Sequence, residues 1–353
     1  MDESPGRFPP PPSEPTPPGF SPYNRHGSSY GPPRPYPLNL SRLLELTLSI
    51  FRFRWQTFVG IALLLMVPAW VVLSVTNVLL FADADWYTAM TNMFRTGQFE
   101  NPLGRLLPAM IANLPISVIV GVATYVTGAA LTNAAAQTYS SEPTSLADSF
   151  RAAAGRLRVL LGVVLVSLVI TNVLLMGGVL LGLTLFLSTA SGGQLQPGLM
   201  VFIGLIVLVG AFVALVFVAI RFALSVPVAM LEPVGAIDAL RRSWRLVSGS
   251  GWRVLGYLFV FGLLIAVTGG LIGAIVTVVI NPFHATSLTT FTVDPVKLTI
   301  STFVNGLISS ALEPIPVIGT LLLYYDLRWR HGETVPQPGS RAPAPPMVPS
   351  PPR

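Results

Sequence analysis

Six apolar stretches, each long enough to cross a bilayer, decide what this chain can fold into. They run roughly over residues 58–81, 107–139, 159–187, 199–231, 254–280 and 298–325. A helix needs about 20 predominantly apolar residues to span the hydrocarbon core. Within that core every backbone N–H and C=O must find its partner inside the protein, and the helix does this within a single segment. Several stretches exceed the minimum, so tilt or kinks are expected. Pro68, Pro115, Pro227 and Pro314 fall inside them, which bilayer helices tolerate better than soluble ones. Only 10% of residues are charged, against about 25% in soluble domains. The expected fold class is all-α: a polytopic membrane protein of about six transmembrane helices with interfacial amphipathic helices.

The two ends read differently. Residues 1–37 contain "FPPPPSEPTPPGFSPYNRHGSSYGPPRPYP", and residues 334–353 include "VPQPGSRAPAPPMVPSPPR". Proline this dense forbids helix interiors, and the apolar surface is too small to offset the entropy of ordering. Both are expected to be disordered tails with polyproline II character. They read as solvated linkers, with docking of proline-reading protein partners as the competing use. The start lacks the apolar run and small-residue cleavage site of a signal peptide. The membrane domain is thus expected over residues 38–333. There is no cysteine, so disulfide and thiol chemistry is excluded.

Cations are unevenly placed around the apolar stretches. Arg95 and Arg105 fall between the first two, Lys297 falls between the last two, and "STASGGQLQPG" between the third and fourth is uncharged. The opposite side collects Arg42, Arg52, Arg54, Arg151, Arg156, Arg158, Arg241, Arg242, Arg245, Arg253, Arg328 and Arg330. By the positive-inside rule this predicts a multi-pass protein of a bacterial plasma membrane with both termini cytoplasmic. The excess of cations points to anionic lipid rather than nucleic acid.

The densest cationic stretch, "EPVGAIDALRRSWRLVSGSGWRVLG" over 232–256, has a fainter copy ninety residues earlier. Glu142-Pro143, Asp148 and Arg151 match Glu232-Pro233, Asp238 and Arg241. In the later copy Val234, Ile237, Leu240, Trp244 and Val247 recur every three or four residues as one helical stripe. Asp238 is spaced to pair with Arg241 and Arg242. An apolar stripe, a cationic flank and a tryptophan describe a helix lying in the membrane interface. "LNLSRLLELTLSIFRFRWQTFVG" has the same design through Leu40, Leu43, Leu44 and Ile50. Three units follow, each an interfacial helix and two spans. Arg241, Arg242, Arg245 and Arg253 are the candidate lipid-headgroup contacts.

These residues also carry a resemblance. "RFALSVPVAMLEP", "AIDALRRSWRLVSGSGWRVLG" and "LLLYYDLRWRHGE" resemble the membrane domain of glycerophosphoryl diester phosphodiesterases, which also occurs as a stand-alone bacterial membrane protein. The resemblance covers roughly residues 38–333. The soluble catalytic barrel of that family is missing, so the resemblance implies a membrane module and no phosphodiesterase activity.

Nothing in the spacing of polar residues suggests a catalytic centre. The three histidines, His26, His284 and His331, have no ligand spacing, and no phosphate loop, nucleophile elbow or zinc-binding motif occurs. No metal or cofactor is expected. Gly178 with Gly182, and Gly269 with Gly273, have the small-xxx-small spacing of closely packed helices. Arg221 and Glu313 fall at membrane depth, where a charge is costly and usually faces a partner or a cavity. They form the candidate intramembrane pair, with Asn305 adding to a polar seam between spans four and six. The leading expectation is a non-enzymatic module, a scaffold or lipid-associated accessory. The alternative is a small transporter or channel using that seam.

Overall fold

The computed structural model describes residues 38–81, 102–140, 142–188, 197–280 and 295–333. All regular structure among them is α-helical. The helices are α1 (Leu40–Phe53), α2 (Trp55–Phe81), α3 (Pro102–Tyr139), α4 (Leu146–Gly155), α5 (Leu157–Ser188) and α6 (Pro197–Phe222). They continue as α7 (Ser225–Leu231), α8 (Ala236–Val247), α9 (Gly251–Ile280), α10 (Pro295–Leu312) and α11 (Pro314–Arg330). Six segments are long and apolar enough to cross a membrane: Trp55–Thr76, Leu114–Tyr139, Leu157–Gly182, Val201–Leu231, Gly251–Val276 and Thr299–Arg330. The expected tails, Arg95 and His284 lie outside the described residues.

The short amphipathic helices α1, α4 and α8 each precede a pair of spans, which gives the three units expected. Helix α4 starts as its sequence dictates: the Ser145 hydroxyl accepts from the Asp148 backbone N–H at 3.0 Å, meeting one of the donors a helix start leaves unpaired. Helix α8 ends at "SGSG", where Gly249 has φ +84, a conformation that strains residues with a Cβ.

Consecutive spans pack side by side, and the sixth returns to the first through α10 against α2. The small-residue spacing at 178 and 182 serves the tightest of these contacts. A Cβ on Gly178 would collide with Ala211, and one on Gly182 would lie 2.6 Å from Leu208. Gly273 likewise admits the Asn305 side chain.

Spans four and six are each broken into two helices. Span four breaks at Ala223–Leu224, where Pro227 has no N–H for the carbonyl of Ala223. In unit one, at the ninety-residue offset, Gln137 replaces Pro227, and α3 runs through unbroken. Span six breaks at Glu313, where Pro314 and Pro316 withdraw two donors in succession. Its first half, α10, packs between α2 and α9, while its second half, α11, packs against α1, α3, α7, α8 and α9. Accordingly α11 carries the densest part of the core, with Ile318, Leu321, Leu322, Leu323, Tyr324 and Leu327 buried. Burying such side chains gains about 1.5–3 kcal/mol each in water. Between helices in lipid, tight packing supplies the attraction instead.

Candidate functional site at the arginine-rich end

The motif residues converge at the end of α11. Helix α11 stops at Gly332, φ +73, with the Gly332 N–H donating to the Trp329 carbonyl at 2.9 Å and the Glu333 N–H to that of Arg328 at 3.1 Å. This reversal, the Schellman arrangement, folds Glu333 back over its own helix. Its carboxylate meets Arg242 of α8 and lies 3.1 Å from Nε of Arg328. Glu232, just after α7, completes the cluster. It lies 3.3 Å from Arg242 and 3.2 Å from Arg328 and accepts from the Tyr324 hydroxyl at 2.8 Å. Two carboxylates and two guanidiniums thus alternate, joining three segments distant in sequence. Burial opposes ionisation of both Glu333 and Arg242. Their mutual hydrogen bond and the attraction of the neighbouring charges outweigh it, lowering the Glu333 pKa and raising that of Arg242.

A second cluster forms one helical turn away. The Asp326 side chain is fully buried; it forms an ion pair with Arg253 at 3.1 Å and accepts from Arg330 at 3.0 Å. Its other oxygen takes the backbone N–H of Leu38 at 2.9 Å. The carbonyl of Leu38 receives Arg253 and, at 3.3 Å, the Tyr257 hydroxyl. A carboxylate removed from water requires charged partners and hydrogen bonds on each oxygen, and this one has both.

The Arg-Ser-Trp-Arg run of α8 divides its work face by face. Ser243 is buried and spans the break in span four, donating to the Arg221 carbonyl at 2.7 Å and accepting from the Leu224 N–H at 3.3 Å. It thereby satisfies two backbone groups at the break, the Arg221 carbonyl and the Leu224 N–H. Trp244 lies beneath the Arg221 guanidinium, 4.8 Å from its ring centre, with Phe217 at 5.1 Å. Cations are attracted to such ring faces by about 0.5–2 kcal/mol.

Several expectations need correction. Of the expected stripe, Ile237 and Trp244 are 62% and 40% exposed, while Leu240 and Val247 are buried together with Ala239, Ser243 and Leu246. The helix has three faces rather than two, because it packs on protein along one of them. Asp238 lies 3.8 Å from Arg241, but Arg242 turns to Glu232 and Glu333 instead. Arg242 and Arg253 are therefore not free lipid contacts, since the half-buried Glu232 and Glu333 hold the first and the buried Asp326 the second. Arg241 and Arg245 are exposed. Arg221 and Glu313 form no ion pair. Arg221 sits at the break beside α8, whereas Glu313 stands midway along span six, where α10 packs between α2 and α9. Glu232, Asp326, Arg328 and Glu333 were not singled out from sequence. Their signal was present in the quoted motifs, but partners ninety residues apart have no periodicity to reveal them.

Among the described residues no group of His, Asp and Glu is placed to hold a metal. Fold and site together define a polytopic membrane protein of three helix-and-two-span units, with its motif residues locked around the end of one helix. The chain belongs to the family described as Domain of unknown function (DUF7847), whose model matches residues 50–316. No curated protein and no solved structure matches it.

Proposed function

We propose that the protein is a non-enzymatic module of a bacterial plasma membrane, with cytoplasmic termini, that serves as a scaffold or lipid-associated accessory by holding anionic phospholipid at its arginine-rich end. The observation that carries this reading is the outer flank of α8. Arg245 and Arg221 form no ion pair with an acidic side chain among the described residues, and Arg241 meets only the equally exposed Asp238 at 3.8 Å. Beside them Ile237 and Trp244 expose apolar surface. Cations next to such surface suit the boundary between acyl chains and headgroups, at about 1 kcal/mol per arginine near an anionic leaflet. The resemblance to a phosphodiesterase membrane domain supports a module without its own chemistry, and the proline-rich tails offer docking segments for protein partners. The reading is tested by native mass spectrometry of the purified protein with equimolar phosphatidylglycerol and phosphatidylcholine. The expected result is preferential retention of phosphatidylglycerol, reduced several-fold in an Arg241→Gln/Arg245→Gln variant. Equal retention of both lipids overturns it.

A small transporter or channel is the second reading. The observation in its favour is a polar side of α10 ending at Glu313, in place of the seam first expected between spans four and six.

A further inference from the structure

Helix α10 is divided lengthwise. At 100° per residue, Thr299, Ser301, Thr302, Asn305, Gly306, Ser309, Ser310 and Glu313 occupy one side together with Leu312, while Ile300, Phe303, Val304, Leu307 and Ala311 occupy the other and Ile308 lies at the boundary. Ile300 on the apolar side is 46% exposed, as a lipid-facing residue would be. Both edges of the polar side are packed. On one, Ser310 accepts from the Trp70 indole at 2.9 Å and Gly306 lies against that ring. On the other, Asn305 fits against Gly273. Between these edges lie Ser309, which is exposed, and Glu313, which is half-buried, one helical turn apart.

Neither the Ser309 hydroxyl nor the Glu313 carboxyl takes part in a hydrogen bond or ion pair with a described residue. Glu313 keeps helical backbone angles, φ −55 and ψ −34, so the polar side continues through it. Three residues on, Pro316 has no N–H for the Leu312 carbonyl. The break therefore gathers a carboxylate, a hydroxyl and a freed carbonyl, rich in acceptors and poor in donors. An isolated carboxylate at bilayer depth is costly unless a positive partner accompanies it.

A second observation concerns spans one to three, the first of which packs against α10. Ser74 Oγ, Thr127 Oγ1, Asn133 Nδ2, Gln137 Oε1 and Ser167 Oγ, from spans one to three, are buried without a hydrogen-bond partner. Buried polar atoms without protein partners point to bound water or an ion.

We infer that Glu313, with the Ser309 hydroxyl and the Leu312 carbonyl, forms a binding site for a small cation, a proton or a sodium ion, midway along span six. The neighbouring elements supply no counter-charge at that depth. Helix α2 has no acidic or basic residue. On α9 the titratable groups are Arg253 and Tyr257, which are engaged with Asp326 and Leu38. On α11 they are Tyr324, Tyr325, Asp326, Arg328 and Arg330, at its far end. On α10 itself Lys297 is about 24 Å away at helical rise.

The site is tested on the full-length protein in liposomes with a lipophilic carbodiimide, which reacts with protonated carboxyl groups, the adduct being located by mass spectrometry. Glu313 should be labelled in choline chloride at acidic pH. A several-fold loss of labelling on raising the pH identifies a proton. The same loss on replacing choline by sodium at fixed pH identifies sodium. The native thermal midpoint should rise with the protecting cation, and Glu313→Gln should abolish that response. If the variant does not fold, labelling of the native protein decides alone. Absence of an adduct on Glu313, or labelling unchanged by both pH and sodium, overturns the proposal.

Discussion

Glu232 and Arg328 lie 3.2 Å apart across 96 positions of sequence, and both side chains are largely removed from solvent. The carboxylate of Glu232 also serves Arg242 and Tyr324. Glu232→Gln should therefore leave both guanidiniums with Glu333 as their one remaining carboxylate. Removing one partner of a buried pair typically costs about 3–5 kcal/mol. Because this cluster remains partly wet, a loss nearer about 2 kcal/mol is expected. Thermal unfolding in detergent measures it, and an unchanged midpoint would show the pairs to be incidental.

Ser243→Ala removes both hydrogen bonds that span the break in span four. A cost of about 1–2 kcal/mol is expected, with faster amide exchange at Leu224 than at Leu231. Uniform exchange along the segment would mean that the break is held by packing alone.

The acid response follows from Glu333, whose pKa lies below the ordinary carboxylate value because Arg242 and Arg328 outweigh burial. A carboxylate with a depressed folded-state pKa contributes stability that is complete above its unfolded value, about 4.3. That contribution is lost as pH falls through the folded value. The thermal midpoint should hold steady from pH 7 to about 5 and drop below about 4. Glu333→Gln should flatten part of that drop, and an identical profile in the variant would remove Glu333 from the explanation.

Since Arg221 rests on Trp244 and Phe217, it and Glu313 should act independently. Arg221→Leu and Glu313→Leu are expected to add within about 0.5 kcal/mol in a double-mutant cycle on thermal unfolding. A coupling well above that would restore the pairing of the two charges.

Orientation is tested by single cysteines at Ser191 and Ser248. On intact cells an impermeant thiol reagent should label Ser191→Cys and spare Ser248→Cys. The reverse pattern would invert the membrane topology.

The spans were legible because hydrophobic length is a local property, and so was the division into three units, since cationic helices recur at a fixed offset. The breaks at Leu224 and Glu313 were only half legible. Pro227 and Pro314 marked the places, but whether a helix continues past a proline depends on what replaces the missing bond. At the first break Ser243, nineteen positions from Leu224, holds two of the backbone groups there. The charge clusters were illegible for the same reason: Arg242 and Arg253 look like surface cations until Glu232, Glu333 and Asp326 fold against them. Arg221 was misjudged because a pair of opposite charges is the simplest way to accommodate an intramembrane cation. An aromatic ring from an adjoining helix serves as well.

The two ends of the membrane domain are fastened close together. Leu38 is bonded to Asp326 and Glu333 is paired with Arg328, two positions further along α11. Tension applied to either end of the chain therefore enters the fold through the same turn of the same helix. A tether attached at one terminus shares its mechanical load path with a tether attached at the other.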